Sequence, residues 1–327
     1  MADIDIFNIE PHQISRDLSG YMTYIYAPGG FGKTTLAASM PKPLLLACEK
    51  GYNALAGVKP VDVTSWGDIR KVMKQLSDPR AHEIYQTVVI DTVDKASQLC
   101  EKYMCNKLSI ENIGDGGWST NGWAKVKKEW EATFNSLAMM GYAIVFISHD
   151  KDKTFTRKDG TTYNQIIPSC SNAYNEIIRN MVDLQAYGLI EDGNRYLVFR
   201  SPDDSIQCKS RFSHMQERVP LGYQELADAL NDAIDKEDGT YVTDKKVATP
   251  VVQELDFDDL MKSFQELVGK IQAGAGNDFG STWAPKIAAT VEKYLGKGKK
   301  VSDMTPSQAE QLDLIIYDLT EQVGQGL

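Results

Sequence analysis

The chain has 327 residues and a formal net charge of −10, from 35 Lys and Arg against 45 Asp and Glu. Its 42% hydrophobic content is that of an ordinary globular protein, and its length suits one large α/β domain with a smaller addition. The sequence has no apolar run of roughly 18 residues and no signal-peptide pattern at its start. This excludes a transmembrane helix and indicates a cytoplasmic protein without a membrane partner.

The cysteines and histidines argue against two further classes of protein. The five cysteines form no Cys-x-x-Cys pair, and the four histidines lie far apart in the sequence. Neither the ligand spacing of a zinc site nor a disulfide framework is present, which indicates a reducing compartment.

Over the first half of the chain, short apolar runs alternate with longer helical patterns. Continuous apolar runs are typical of strands covered on both faces, and their alternation with helices predicts a doubly wound, mostly parallel α/β sheet. The predicted strands are Tyr21–Tyr26, Pro43–Ala47, Thr87–Ile90 and Tyr142–Ile147. The predicted helices are Thr34–Met40, Trp66–Leu76, Asp94–Lys107 and Gly122–Met140.

The next part of the chain predicts an antiparallel edge and then a linker. Val182–Ile190 and Arg195–Arg200 flank a turn signal and predict a hairpin, which a short run at Ser205–Phe212 would extend. Between Glu225 and Asp259 the chain carries 11 acidic and three basic residues. This composition, with its Gly and Pro residues, indicates a linker.

The C-terminal part predicts a small helical domain. Three amphipathic helices are expected at Phe257–Gln272, Trp283–Leu295 and Pro306–Val323. The last begins with an N-cap threonine, a proline and a capping-box glutamine. The resulting division is an N-terminal segment 1–20, a core 21–230, an acidic linker 231–256 and a helical domain 257–327.

A glycine-rich loop between the first strand and the first helix carries the strongest chemical signal. Its sequence fits Gly-x-x-x-x-Gly-Lys-Thr, except that Ala27 takes the place of the first glycine. Glycines let backbone N–H groups turn towards phosphate oxygens, Lys33 would reach the β- and γ-phosphates, and the Thr34 hydroxyl would bind Mg²⁺. The sequence therefore predicts that ATP and Mg²⁺ bind at Ala27, Pro28, Gly29, Gly30, Phe31, Gly32, Lys33, Thr34 and Thr35.

Three polar residues follow other predicted strands. Asp91 follows Thr87–Ile90. On a strand beside the one that leads into the glycine-rich loop, residues 27–34 (the P-loop), it would hold Mg²⁺. Glu49 follows the second strand and could polarise the attacking water, with a solvated loop glutamate as the alternative. His149 ends a further strand after Ser148; it could contact the γ-phosphate or be an ordinary hydrogen-bonded histidine.

The order of these elements resembles the RecA-like ATPase core. A P-loop, Glu49, Asp91 and a strand ending in Ser148-His149 occur in that sequence. More narrowly, the chain resembles phage-encoded RecA-like nucleotide-binding proteins of the single-strand annealing and recombination type. The resemblance extends over about residues 21–230 and implies a RecA-like P-loop NTPase core. It departs from the family pattern at Ala27 and at an unfamiliar loop, residues 118–123.

The resemblance also implies roles for particular residues. Glu49 would be the catalytic base, Asp91 a magnesium ligand and His149 a sensor. Lys209 and Arg211 resemble a finger that completes a neighbouring subunit's ATP site, so the active form would be a homo-oligomeric ring or filament. Two exposed strand residues without a partner are the alternative for this pair. For a phage-encoded chain, the compartment is the host cytoplasm.

A basic excursion, Lys151–Ile167, follows the sensor strand and turns at Asp159-Gly160. In RecA-like proteins the loops at this place touch DNA, so the resemblance implies phosphate contacts by basic side chains and base stacking by Phe155 and Tyr163. A solvated hairpin is the alternative. The predicted DNA-binding residues are Lys151, Lys153, Phe155, Arg157 and Lys158.

Together these features favour a Mg²⁺-dependent ATPase that acts on single-stranded DNA in phage recombination or replication and is stimulated by that DNA. Two alternatives stay open: a DNA-independent motor or helicase-loader-type ATPase, and a nucleotide-dependent binding switch that does not hydrolyse ATP. A small-molecule kinase is disfavoured because no lid or acceptor-site motif is apparent. The C-terminal helices could bind a single-strand-binding protein or a recombinase.

Overall fold

The computed structural model describes residues 7–115, 117, 121–237, 240–246 and 255–324. Compact packing divides the chain into two units, residues 1–251 and residues 252–327. Within these described ranges, no helix has the length and apolarity that a membrane crossing requires.

Among the described residues, the strands all lie in the first unit. In chain order they are β1 (Ile14–Ser15), β2 (Thr23–Tyr26), β3 (Pro43–Ala47), β4 (Pro60–Asp62), β5 (Thr87–Asp91), β6 (Ala143–Ser148), β7 (Asp150–Thr156), β8 (Thr162–Pro168), β9 (Leu184–Glu191), β10 (Asn194–Val198), β11 (Lys209–Ser210), β12 (Arg218–Pro220) and β13 (Val242–Thr243). The main sheet has nine strands over the described residues, in the order β12-β10-β9-β2-β6-β5-β3-β4, with β11 also paired to β9. The six strands from β9 to β4 are parallel, and β10, β11 and β12 form an antiparallel edge.

Helices cover both faces of this sheet. They are α1 (Lys33–Ala38), α2 (Trp66–Leu76), α3 (Pro79–Ile84), α4 (Val93–Leu108), α5 (Gly122–Met139), α6 (Asn172–Met181) and α7 (Tyr223–Asp235). Successive strand residues point to opposite faces: Tyr24 packs in the core with residues of α2, α4, α5 and α6, whereas Ile25 packs in the core with residues of α1 and α7. The predicted class, a mostly parallel, doubly wound α/β sheet with helices at the C-terminus, is confirmed.

The position of the Asp91 strand differs from the prediction. Sequence placed β5 beside the P-loop strand β2, but β6 pairs with both and lies between them. The sequence could not decide which of the two strands lies beside β2, because the apolar runs of β5 and β6 are equally typical of a central strand. Asp91 nevertheless ends its strand at the edge where the P-loop begins, because the parallel register aligns the carboxyl ends of β2, β6 and β5.

Two hairpins extend the core. β9 and β10 form the predicted antiparallel edge, with Glu191 opposite Asn194. β7 and β8 form a separate two-stranded sheet that begins directly after β6, with Asp150 opposite Pro168. The turn at Gly160 has a φ of +84°, which favours glycine.

The predicted acidic linker, residues 231–256, starts within a helix. Residues up to Asp235 belong to α7, whose apolar side chains Leu226, Leu230 and Ile234 are buried against the sheet. β13 then pairs in parallel with β1. An acidic composition therefore concealed an amphipathic helix, because its charges lie on one face and its aliphatic side chains on the other. Residues 238–239 and 247–254 of the predicted linker lie outside the described residues.

The second unit is helical. Its helices are α8 (Phe257–Ala275), α9 (Ala284–Leu295) and α10 (Ala309–Gly324). They enclose a small core that includes Leu260, Val291, Leu312 and Ile315. Thr305 and Gln308 form the capping box expected before the last helix, although the residues between them form a short 3₁₀ turn.

Candidate functional site

The glycine-rich loop follows β2 and leads directly into α1. Gly30 and Gly32 have φ values of +78° and +103°, a backbone region that side chains rarely adopt, so these two positions require glycine. An added Cβ at Gly29 or Gly30 would meet no atom within 4 Å, so the loop leaves open space beside its backbone. A ligand with phosphate oxygens fits such an open, N–H-rich turn.

Ala27 is accommodated by a glycine on the neighbouring strand. Ala27 has no positive φ, so this position of the loop does not itself require glycine. It is fully buried against β9, where a Cβ at Gly188 would lie 2.5 Å from the Ala27 Cβ and 2.5 Å from the Phe31 ring. Gly188 thus provides the space that the Ala27 side chain occupies. No short sequence motif contains Gly188, so sequence reasoning did not identify it.

Lys33 and Asp91 are opposite charges buried in one place. The Lys33 ammonium donates hydrogen bonds to the backbone oxygens of Ala27 (2.7 Å) and Pro28 (3.0 Å). Burial lowers the pKa of Lys33 and raises the pKa of Asp91, since a charge is disfavoured away from water. Triphosphate oxygens next to Lys33 and a divalent cation next to Asp91 would each stabilise the charged form further.

The Thr34 hydroxyl donates a 2.7 Å hydrogen bond to Asp91 Oδ2. Both are hard oxygen donors, the ligand class that Mg²⁺ prefers, and they fit a site completed by phosphate oxygens and water. Gly51 lies next to both side chains. A Cβ at Gly51 would be 3.5 Å from Thr34 Oγ1 and 3.8 Å from Asp91 Oδ2, so its absence leaves this space open. No group of three or more His, Cys, Asp or Glu side chains in the described part of the chain could hold a metal ion by itself.

Glu49 lies at the same edge of the sheet. Its backbone N–H and that of Cys48 donate to the Asp91 carbonyl, which holds the end of β3 against the end of β5. Glu49 Oε1 accepts a 2.8 Å hydrogen bond from Thr92, and Glu49 Oε2 lies 3.4 Å from His149 Nε2. The structure thus brings together Lys33, Thr34, Glu49, Asp91 and His149, five of the residues that the sequence placed near ATP. The peptide between Asp91 and Thr92 is cis.

Asp94, in the first turn of α4, connects this site to the β7–β8 hairpin. Its carboxylate accepts hydrogen bonds from the Ser148 hydroxyl (3.2 Å), the His149 N–H (3.3 Å) and the Ser169 hydroxyl. Ser148 and His149 precede β7, and Ser169 follows β8. One side chain therefore fastens both ends of the hairpin beside His149, a role that sequence reasoning missed because Asp94 reads as an ordinary acid in a helix's first turn.

Arg195 on β10 was also missed. A Cβ added at Gly32 would lie 3.4 Å from the Arg195 guanidinium, so this cation lies beside the P-loop. It reaches that place because the hairpin turn at Asp192-Gly193 returns β10 at the carboxyl edge of the sheet. Only the pairing of β9 with β2 brings it there, and no local motif could have indicated it.

Residues 19–212 match the AAA-domain family, which is more than half of the chain. The chain belongs to the AAA-domain family. The matched region contains the P-loop, Glu49, Asp91, Asp94 and His149, and this AAA-domain protein is a P-loop ATPase.

Two individual proteins resemble this AAA-domain chain over much of its length. The SPbeta prophage-derived uncharacterized protein YorG of Bacillus subtilis (strain 168) is 28% identical over 338 aligned residues, covering 98% of this chain and 99% of that protein. A crystal structure of the KaiC-like protein PH0186 from Pyrococcus horikoshii OT3 is 14% identical, with a TM-score of 0.36 over 62% of this chain and 84% of that one.

The residues predicted to bind DNA differ in the contacts that their side chains make within the protein. Lys153 lies 4.7 Å from the Phe155 ring centroid and Arg157 lies 4.6 Å from that of Tyr163, and the two rings stack at 5.6 Å. Lys158 is exposed at the turn of the hairpin. Lys151 differs, because its ammonium donates to the backbone oxygens of the segment after β8, at Ser169 (2.9 Å) and Cys170 (3.3 Å). These bonds give Lys151 a structural contact, and its phosphate contact stays a prediction.

Lys209 and Arg211 lie at the opposite edge of the sheet from the P-loop. β11 pairs with the start of β9, next to Leu184. The Lys209 ammonium donates to the carbonyls of Arg179 (2.6 Å) and Val182 (2.7 Å), and Arg211 pairs with Asp183 at 3.3 Å. Both cations thus stabilise the C-terminal end of α6, and neither is the free strand residue of the alternative reading. A role in a neighbouring subunit's site stays a prediction.

The tryptophans separate into two groups. Trp130, on α5, is fully buried and stacks on Trp66 with ring centroids 5.5 Å apart. Trp123 is 49% exposed at the start of α5. Trp118 and its loop, residues 118–120, lie outside the described residues.

Proposed function

We propose that this protein is a Mg²⁺-dependent ATPase that acts on single-stranded DNA in phage recombination or replication. The observation that carries the proposal is the hydrogen-bonded path from Glu49 and His149 through Asp94 to the base of the β7–β8 hairpin. It joins a nucleotide site to a surface bearing cations and aromatic rings. The similarity to a prophage-derived protein over nearly the whole chain supports the phage context.

ATP hydrolysis would use the residues at the carboxyl edge of the sheet. Lys33 would hold the β- and γ-phosphates, and Thr34 and Asp91 would hold Mg²⁺, which neutralises charge that develops on the phosphates. Glu49, held by Thr92, would accept a proton from the attacking water. Arg195 would add positive charge beside the P-loop.

The same contacts would let DNA and nucleotide influence each other. A γ-phosphate that draws Glu49 or His149 would pull on the His149 backbone, whose N–H donates to Asp94. Asp94 also accepts a hydrogen bond from Ser169, so a shift there would reach both ends of the hairpin. Binding energy at either site could then favour one arrangement of the other, as linkage requires.

DNA binding would rest on the hairpin. Lys153, Arg157 and Lys158 would meet phosphates, and Phe155 and Tyr163 would offer ring surfaces for bases. A homo-oligomeric ring or filament, with Lys209 and Arg211 serving a neighbour, would align these hairpins along one strand. The second unit would bind a single-strand-binding protein or a recombinase.

Replacing Lys153, Arg157 and Lys158 together by alanine is expected to weaken binding of single-stranded DNA. If all three contact phosphates, the slope of log affinity against log salt concentration should become shallower by about 2, since each phosphate contact to a single strand contributes roughly 0.7. Fluorescence anisotropy titrations at several salt concentrations measure both quantities. The matched control removes three exposed lysines of α5, namely Lys125, Lys127 and Lys128. An unchanged slope in the hairpin variant would show that the hairpin does not bind the DNA backbone.

A further inference from the structure

Arg195 on β10 differs from two other arginines near the antiparallel edge of the sheet. Arg218 on β12 pairs with Glu191 at 2.7 Å, and Arg200 donates a hydrogen bond to the backbone oxygen of Phe212 at 3.3 Å. Among the described residues, the Arg195 guanidinium has neither an ion pair nor a hydrogen-bond partner. Its charge is therefore available to a ligand.

The fold places this side chain on the face of the sheet that α1 covers. Arg195 lies two residues before Leu197, which packs in the core with Leu36 of α1, and side chains two apart on a strand share a face. The backbone of Arg195 is fixed on both sides. It is paired with Ile190 of β9, and its carbonyl accepts a 2.9 Å hydrogen bond from the Leu221 N–H. The sheet, and not a loose loop, therefore determines where the guanidinium lies.

The guanidinium lies beside the last glycine of the P-loop. A Cβ added at Gly32 would be 3.4 Å from a guanidinium nitrogen of Arg195 and 3.3 Å from Leu221 Cδ2. Gly32 directly precedes Lys33, so the two cations flank one short piece of backbone. The Arg195 side chain is exposed, and it can turn towards a bound phosphate chain without breaking an existing hydrogen bond.

The charges around Lys33 show why a second cation is favourable here. The P-loop, residues 27–34, supplies one cation, Lys33. Burial lowers the pKa of Lys33, and four neighbouring carboxylates oppose that shift, those of Asp91, Asp150, Asp94 and Glu49. A triphosphate adds more negative charge to this site than a single Mg²⁺ neutralises. A cation beside the loop with its charge unused would offset part of the remaining repulsion.

We propose that Arg195 binds the phosphate chain of the ATP held by its own subunit. A guanidinium suits phosphate oxygens because it donates two parallel hydrogen bonds and is permanently charged. The cation that assembled ATPases receive from a neighbour would here come from the same chain, so one subunit could hydrolyse ATP alone. Any contact of Lys209 and Arg211 with a neighbour's site would be additional. This inference rests on the proposed ATPase activity and adds to it the residue, and the subunit, that supply the second cation.

Arg195→Met removes the charge and keeps an unbranched side chain. We expect it to weaken ATP binding about tenfold or more, the loss of a charge-assisted hydrogen bond, and to leave the melting temperature unchanged. Arg195→Lys keeps the charge without the paired donors, so its affinity should lie between the two. Arg218→Met removes a cation from the neighbouring strand and is the matched control, which should bind ATP as the unmodified protein does. Equilibrium titration with a fluorescent ATP analogue in the presence of Mg²⁺ measures these affinities.

Co-expression of two defective subunits tests whether Arg195 acts within its own chain. If Arg195 and Lys33 serve the same ATP, mixed assemblies of Arg195→Met and Lys33→Ala subunits should hydrolyse no more ATP than the two variants do separately. Hydrolysis above that sum would place Arg195 in a neighbour's site and overturn the proposal.

The outcomes also separate this inference from the function on which it rests. If Arg195→Met binds and hydrolyses ATP as the unmodified protein does, Arg195 does not contact the phosphates, and the ATPase activity stands. If the unmodified protein binds no ATP, both the inference and the proposed function are wrong.

Discussion

Glu49→Gln is expected to preserve ATP binding and to reduce hydrolysis by a factor of about 10²–10⁴, the usual contribution of a general base. The glutamine keeps an oxygen that can accept the 2.8 Å hydrogen bond from Thr92, so the loop should hold its position. What the change removes is the group that could take a proton from water. Equilibrium binding of a fluorescent ATP analogue and steady-state phosphate release measure the two effects separately.

Glu83→Gln is the matched control for this prediction, because Glu83 is an exposed acid on α3. It removes the same charge and should change neither binding nor hydrolysis. If Glu49→Gln hydrolyses ATP at the rate of the unmodified protein, Glu49 is not the base, and the 3.4 Å contact with His149 is only structural.

Gly188→Ala is expected to disturb the P-loop from the neighbouring strand. The added Cβ would lie 2.5 Å from Ala27 Cβ and 2.5 Å from the Phe31 ring, closer than non-bonded atoms can approach. Overpacking of this kind costs about 1–3 kcal/mol, and here the displaced atoms belong to the phosphate-binding loop. We expect a lower melting temperature and at least a tenfold loss of ATP affinity, about 1.4 kcal/mol.

A double variant gives this prediction a sharper form. Ala27→Gly removes one of the two clashes, so Ala27→Gly combined with Gly188→Ala should recover part of the lost stability and affinity, while the Phe31 clash remains. Gly67→Ala is the control, since the nearest contact of its added Cβ is an ordinary 3.5 Å. If Gly188→Ala binds ATP as the unmodified protein does, Gly188 is not what accommodates Ala27.

The sequence predicted the elements of the core and the residues at the carboxyl edge of its strands. Apolar runs such as Pro43–Ala47 and Thr87–Ile90 are short, continuous and flanked by helical patterns, so their period and length identify them as buried parallel strands. The P-loop was recognisable because its glycines, Lys33 and Thr34 stand at the spacing of a local sequence motif. Glu49, Asp91 and His149 could be selected next, since each lies within two residues of the end of a predicted strand.

What could not be predicted depends on which strands are neighbours. Asp94, Gly188 and Arg195 each act on a residue at least 54 positions away in the chain, and their contacts exist only in the folded sheet. Lys151 and Lys209 looked like free cations, but nearby carbonyl oxygens accept their hydrogen bonds. The amphipathic helix α7 was obscured by its own acidic face. Local sequence motifs therefore predict local chemistry, whereas contacts between residues far apart in the chain depend on the order and register of the strands.

Steady-state ATP hydrolysis with and without single-stranded DNA tests the central claim most directly. Lys33→Ala is the blank, because it removes the cation that would hold the β- and γ-phosphates. We predict Mg²⁺-dependent hydrolysis that Lys33→Ala abolishes and that single-stranded DNA increases several-fold. Hydrolysis that single-stranded DNA leaves unchanged would contradict an ATPase acting on DNA and favour a DNA-independent motor. Tight ATP binding without any hydrolysis would contradict the claim that the protein is an ATPase and favour a nucleotide-dependent binding switch.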